Sequence, residues 1–164
     1  MEKWDAYDRD FKKIPNVTLV RGKPLVENVF HLVTDIIAQH IDGEYLITQR
    51  DFCKNFGGMW ELSSGGSALS GESAKECAIR ELKEETGICE SQIIEFIELG
   101  RVIDEKAHSI YVEFFCKTNC DKNKIKLQTG ETINFKWVPK DFIRAMSKTE
   151  LLTHRIQRFM EDFK

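Results

Sequence analysis

The chain has 164 residues, 41% of them hydrophobic and 31% charged, with a formal net charge of -3, so it is long enough to bury a core without disulfides or a structural metal and is expected to form one domain over residues 1–164. That charge balance argues against a broad nucleic-acid-binding surface while leaving small phosphorylated ligands open. No stretch is apolar enough to cross a bilayer, and the opening MEKWDAYDRDFKKI lacks the apolar core of a secretory signal, so a cytoplasmic location is expected.

Residues 1–16 read as a polar lead-in. Residues 17–20 and 30–39 are rich in β-branched and apolar side chains and predict strands; Asp42-Gly43 then predicts a tight turn into a strand over 44–50, which makes a hairpin. Phe56-Gly57-Gly58 is a flexible break, and residues 59–63 predict a short strand leading into a second glycine pair, Gly65-Gly66. Ser73 and Glu76 have the spacing of a capping box, and Gly87 suits a left-handed C-terminal cap, so a helix is framed between them. Ala74, Cys77, Ala78 and Leu82 give it an apolar stripe to pack on a sheet, and its other side is acidic. Residues 93–102, 109–116 and 132–138 predict strands, 140–145 a short helix and 150–163 an amphipathic C-terminal helix. Pro15, Pro24 and Pro139 fall near element edges, and there is no internal repeat. This order predicts an α/β protein with a mixed β-sheet and helices on both faces.

The five cysteines, Cys53, Cys77, Cys89, Cys116 and Cys120, are odd in number and form no CxxC pair. Reduced thiols are expected rather than a disulfide framework or a zinc ribbon, and Cys116 with Cys120 fits no metal-site template.

Each helical residue advances about 100°, so Glu81, Glu84 and Glu85 share one face of the predicted helix. Like charges at such spacings destabilise a helix by about 0.2–0.5 kcal/mol per pair. A solvated face balanced by Lys75, Arg80 and Lys83 is the ordinary explanation; a divalent cation is the other, and carboxylate oxygens suit Mg2+ or Mn2+. The surrounding spacing decides between them. Gly66 is followed after five residues by Glu72, and after seven more by Arg80-Glu81-Leu82-Lys83-Glu84-Glu85-Thr86-Gly87-Ile88. This resembles the signature of the Nudix hydrolase superfamily at every fixed position, a match that average residue usage produces by accident in such a chain less than roughly once in a million.

The resemblance implies an α/β/α sandwich and metal-dependent hydrolysis of a diphosphate linkage in a nucleoside-diphosphate-linked or related small molecule. Carried over by position, Glu81, Glu84, Glu85 and the Gly65 carbonyl are the implied metal ligands. Arg80 orients one of the glutamates, Glu72 anchors Arg80, and Gly66 and Gly87 support the motif. Similar enzymes place the general base on the helix, where Glu84 stands, or on a later loop, where Glu131 is the candidate and a solvated turn residue its ordinary alternative. Related sequences often carry an arginine at the end of the hairpin, as Arg50 is here, that could reach a substrate phosphate, a solvated strand-end arginine being its ordinary alternative. Trp60 and Glu61 just precede the box, as cleft lining or, for Trp60, as core. A homodimer is left open.

The lead-in, the Phe30-His31-Leu32 stretch and the run from Gly57 to Trp60 also resemble the branch that includes type 1 isopentenyl-diphosphate isomerases. Those enzymes use a cysteine and a histidine in a Cys-Gly-His-Pro stretch; the matching residues here are Gly65-Gly66-Ser67-Ala68, so the protonation chemistry has no agent and hydrolysis is preferred. His31 alone matches the isomerase metal site and is read as a packing residue. A nucleotide-binding sensor without turnover is a third reading, against which the intact box weighs.

Overall fold

The computed structural model describes residues 1–151. Beyond Leu151, the helix expected over residues 150–163 lies outside them.

The lead-in is structured. β1 (Lys3–Tyr7) and β2 (Lys13–Val20) form a separate two-stranded antiparallel sheet. Trp4, Ala6 and Leu19 are its buried centre, and Ile14, Leu25 and Val29 pack against them. Tyr7 and Phe30 exchange backbone hydrogen bonds of 2.8 and 2.9 Å, which tie this hairpin to the main sheet.

In the main, seven-stranded sheet, β3 (His31–His40) and β8 (Ser109–Thr118) run parallel at the centre, and β7 (Ile93–Asp104) lies antiparallel outside β8. The expected turn at Asp42-Gly43 joins β3 to β4 (Tyr45–Arg50), with Gly43 at φ 96°, but the register between the two strands comprises Gln39–Tyr45 alone. They then diverge. β3 pairs with β6 (Ser64–Ser67), while β4 pairs with β5 (Trp60–Leu62) and β9 (Thr132–Val138). Buried Ser63 sits at the corner between β5 and β6 and spans the split, its Oγ accepting from the Ala38 N–H at 2.7 Å and donating to the Leu46 carbonyl at 2.8 Å.

Gly65 and Gly66 lie within β6 rather than in a loop before the helix. A Cβ on Gly65 would stand 2.5 Å from the Thr34 carbonyl oxygen of β3, so the strands approach this closely only because the residue is glycine.

The helix α1 (Ala74–Thr86) has both capping-box bonds between Ser73 and Glu76, and Gly87 closes it at φ 77°. Its stripe of Ala74, Cys77, Ala78 and Leu82 packs with Ile36 and Ala38 of β3 and Leu46 of β4. The alternate residues Ile37, Tyr45 and Ile47 face the other way, onto Ile143 of α2 (Lys140–Ala145) and Leu151. Two cores on opposite faces of one mixed sheet give the expected α/β/α sandwich. Burying Leu82 completely contributes about 1.5–3 kcal/mol, well above the cost of the like charges on the same helix, so packing decides that α1 forms.

Candidate active site

The later turns of α1, the β6 glycines, the turn before β9 and the ends of the N-terminal hairpin converge on one pocket of about 250 Å³. Arg80 organises it. Its Nε and Nη2 donate to the two carboxylate oxygens of Glu72 at 2.7 and 2.9 Å, a bidentate geometry that needs the planar guanidinium. Nη1 donates to Glu81 at 2.7 Å and to Glu84 at 3.1 Å, and Nη2 also reaches the Ser67 carbonyl at 3.2 Å. Glu72 is fixed in turn by the Leu69 N–H at 2.8 Å. Glu81 and Glu84 are therefore paired with a cation, and the uncompensated cluster expected on this face reduces to Glu85.

Glu85 is 7% exposed and accepts one hydrogen bond, from the Gly65 N–H at 3.2 Å. Burial, and then the neighbouring Glu61, Glu81 and Glu131, push its carboxyl well above the usual carboxylate range. Burial likewise raises Glu81 against the pull of Arg80, and raises Glu61 against the pull of Arg50. A carboxylate so enclosed lacks a positive partner, and a cation beside it would relieve both desolvation and repulsion.

Among the described residues no three His, Cys, Asp or Glu side chains stand ready-made as a metal site, because Glu81 turns onto Arg80. The donor set nevertheless fits a small divalent ion. Glu81, Glu84 and Glu85 offer carboxylate oxygens into one pocket, with the Gly65 and Gly66 backbone beside them. A Cβ on Gly66 would overlap the Glu81 carboxyl group, so this glycine is what lets Glu81 reach the strand.

Glu131 stands in the same pocket, in the turn before β9, and is ion-paired with Lys54 from the loop between β4 and β5. Lys54 carried no signal in the sequence, nor did Glu2 and Arg21 of the N-terminal hairpin, which also line the pocket. Only recognition of the hairpin could have found the last two.

Arg50 lies elsewhere. It lines an adjoining cleft of about 450 Å³ that shares Gly65, Gly66 and Ser67 with the first pocket and also contains Asp35, Phe56 and Tyr111. There its Nη1 is 2.5 Å from Glu61, and its Nε donates to the Asn55 carbonyl at 3.0 Å. Glu61 thus faces the cleft, whereas Trp60 packs on the α2 side with the Lys136 Nζ 4.5 Å from its ring centroid. His31 is a packing residue: its ring stacks on Trp4 at 4.1 Å and its Nδ1 donates to the His108 carbonyl at 3.0 Å. All five cysteines are free, and burial pushes the Cys77 and Cys116 thiols up to about 12, which keeps both protonated and unreactive.

The NUDIX domain family matches residues 29–163. The chain is 36% identical to the uncharacterized Nudix hydrolase lmo0368 of Listeria monocytogenes over 151 residues, which cover 89% of this chain and 85% of that protein. It is 28% identical to the uncharacterized Nudix hydrolase lin0387 of Listeria innocua with the same coverage. Its fold is similar to the crystal structure of DR0079 from Deinococcus radiodurans, with a TM-score of 0.74 at 14% identity over 99% of this chain and 100% of that one.

Proposed function

Because this chain belongs to the Nudix family and is a hydrolase of phosphorus-containing anhydrides, we propose that it cleaves the diphosphate linkage of a small molecule with Mg2+ or Mn2+ held by Glu81, Glu84, Glu85 and the Gly65 carbonyl. The observation that carries this reading is Glu85, an almost fully buried carboxylate crowded by other carboxylates and without a cation of its own. When bound, the divalent ion neutralises phosphate oxygens and lowers the pKa of water.

The protein side of the reaction follows from the contacts. Arg80, locked by Glu72, holds Glu81 and Glu84 toward the pocket. Glu131 enters from another segment of the chain and is the candidate to take the proton from the attacking water, with Lys54 orienting its carboxylate. Glu84, about half-exposed on the helix, is the other candidate base. The adjoining cleft, about 450 Å³ in volume and flanked by Phe56 and Tyr111, has the size of a small-molecule site and would take the organic part of a nucleoside-diphosphate-linked substrate, with Arg50 on its wall. Isomerase chemistry has no support, since the backbone at Gly65 leaves no room for the cysteine that reaction needs.

A cytoplasmic location is part of the proposal, supported by five free thiols. No helix among the described residues is long and apolar enough to cross a membrane.

The test is a screen over nucleoside triphosphates, nucleotide sugars, dinucleoside polyphosphates and coenzymes with Mg2+ or Mn2+, in which the organic phosphates and pyrophosphate formed are separated and identified. Hydrolysis that stops on chelation is the expected result. Turnover that continues undiminished after thorough chelation contradicts the metal mechanism.

A further inference from the structure

The N-terminal hairpin precedes residues 29–163, the region the family accounts for, yet it forms part of the wall of the pocket. It is held there by specific contacts. The Lys3 carbonyl accepts from the Ser70 N–H at 2.8 Å, Asp5 accepts from the Ser70 hydroxyl at 2.8 Å and from the Gly71 N–H at 3.0 Å, and Trp4 stacks on buried His31. Ser70 and Gly71 belong to the segment joining β6 to α1, so the hairpin is fastened to the loop that frames the carboxylates.

This placement brings Arg21 to the pocket. Three cations line it: Arg80, Lys54 and Arg21. Arg80 is committed to Glu72, Glu81, Glu84 and Ser67, and Lys54 to Glu131. Arg21 makes an ion pair with Glu2 at 2.8 Å, and its side chain remains 62% exposed. Glu2 is itself anchored by the Trp4 indole N–H at 2.6 Å, so Arg21 can leave without releasing Glu2 from the hairpin. A pocket lined by Glu2, Glu81, Glu84, Glu85 and Glu131 repels a substrate carrying several negative charges, and an exposed guanidinium at its rim is the group that can offset this.

We infer that Arg21 is a substrate-binding residue, exchanging Glu2 for a phosphate oxygen of the diphosphate when substrate enters. Glu2 parks the guanidinium in the empty pocket and competes with substrate for it. The inference rests on the diphosphatase reading above and adds to it a contact from outside the family's matched region.

Arg21→Gln and Glu2→Gln separate this role from a structural one. The Gln at position 2 still accepts from Trp4 but loses its charge. If Arg21 binds substrate, Arg21→Gln raises KM about 10- to 100-fold with kcat within about twofold, whereas Glu2→Gln leaves KM unchanged or lowers it. If the pair merely holds the hairpin, the two variants shift KM and melting temperature alike, and the inference is overturned. Calorimetric titration with inorganic pyrophosphate and Mg2+ gives a second readout that needs no turnover, in which Arg21→Gln should bind about tenfold or more weakly than wild type. An active wild type with Arg21→Gln unchanged in both measurements removes this inference alone. A wild type that neither hydrolyses nor binds diphosphates removes the reading on which it rests as well.

Discussion

Asp5 holds a charge in a nearly closed environment, its Oδ2 accepting from Lys13 Nζ at 2.5 Å and the Gly71 N–H at 3.0 Å and its Oδ1 from the Ser70 hydroxyl at 2.8 Å. Burial pushes its carboxyl up, but the hydrogen bonds from Lys13, Gly71 and Ser70 together outweigh it, and the net shift is downward from 3.8. A carboxyl depressed in the folded state adds stability that is fully present above its unfolded pKa and is lost as pH falls through the folded value. Asp5→Asn should therefore be less stable than wild type at pH 7 by about 1–3 kcal/mol, and the gap should close as pH falls from 4 toward the folded pKa. Thermal melts of both proteins across that range check it; a gap that is absent at pH 7 or unchanged in acid contradicts the assignment. The sequence exposes such residues unevenly. Arg80 and Glu72 were legible because both stand at fixed positions of the Nudix signature, and the resemblance implies their contact even though Glu72 precedes the helix. Arg21 and Lys54 were not, since each reaches the pocket through a loop whose path depends on tertiary packing.

The glycine pair of β6 gives the prediction at the scale of an element. A methyl on Gly65 meets backbone, the Thr34 carbonyl oxygen at 2.5 Å, so Gly65→Ala must part β6 from β3 and should cost about 1–3 kcal/mol. A methyl on Gly66 meets the end of the flexible Glu81 side chain, which can swing aside. Gly66→Ala should thus stay within about 1 kcal/mol of wild type while losing at least about tenfold in turnover. Denaturant melts paired with activity assays decide this, and equal destabilisation by both substitutions would contradict it. Elements with local punctuation were read closely: α1 from its caps, and β9 and α2 at their observed bounds. The early splitting of β3 from β4 was not, because burial patterns say which residues are covered but not which strand covers them. Of the N-terminal hairpin only residues 17–20, the end of β2, were read as strand, and the rest was hidden for two reasons. Trp4, Asp5 and Ala6 are all buried, which removes the alternation, and its tight turn places Phe11 at φ 63° without a glycine to mark it.

Across the whole molecule a net charge of only -3 conceals a strong local concentration of carboxylates, with Glu61, Glu81, Glu84, Glu85 and Glu131 brought together from α1, β5 and the turn before β9. Such crowding bears most on buried Glu85, and under the proposed mechanism a bound divalent cation would relieve it. We propose that the N-terminal hairpin and the main sheet, joined by the Tyr7–Phe30 backbone pair and the Asp5 contacts, unfold as one domain, so every melt should show a single transition. The most direct test is the thermal melting of wild type and Glu85→Gln, each in chelator and in excess Mg2+. Gln keeps an acceptor for the Gly65 N–H and removes a buried charge, so in chelator the variant should be at least as stable as wild type, by about 0.2–0.5 kcal/mol or more. In Mg2+ at about 100 times its Kd the wild type should gain about 2.7 kcal/mol and the variant much less, so that the order of the two curves reverses. A variant markedly destabilised in chelator, or one that gains as much from Mg2+ as wild type does, would show that Glu85 is a structural residue and that the metal site lies elsewhere.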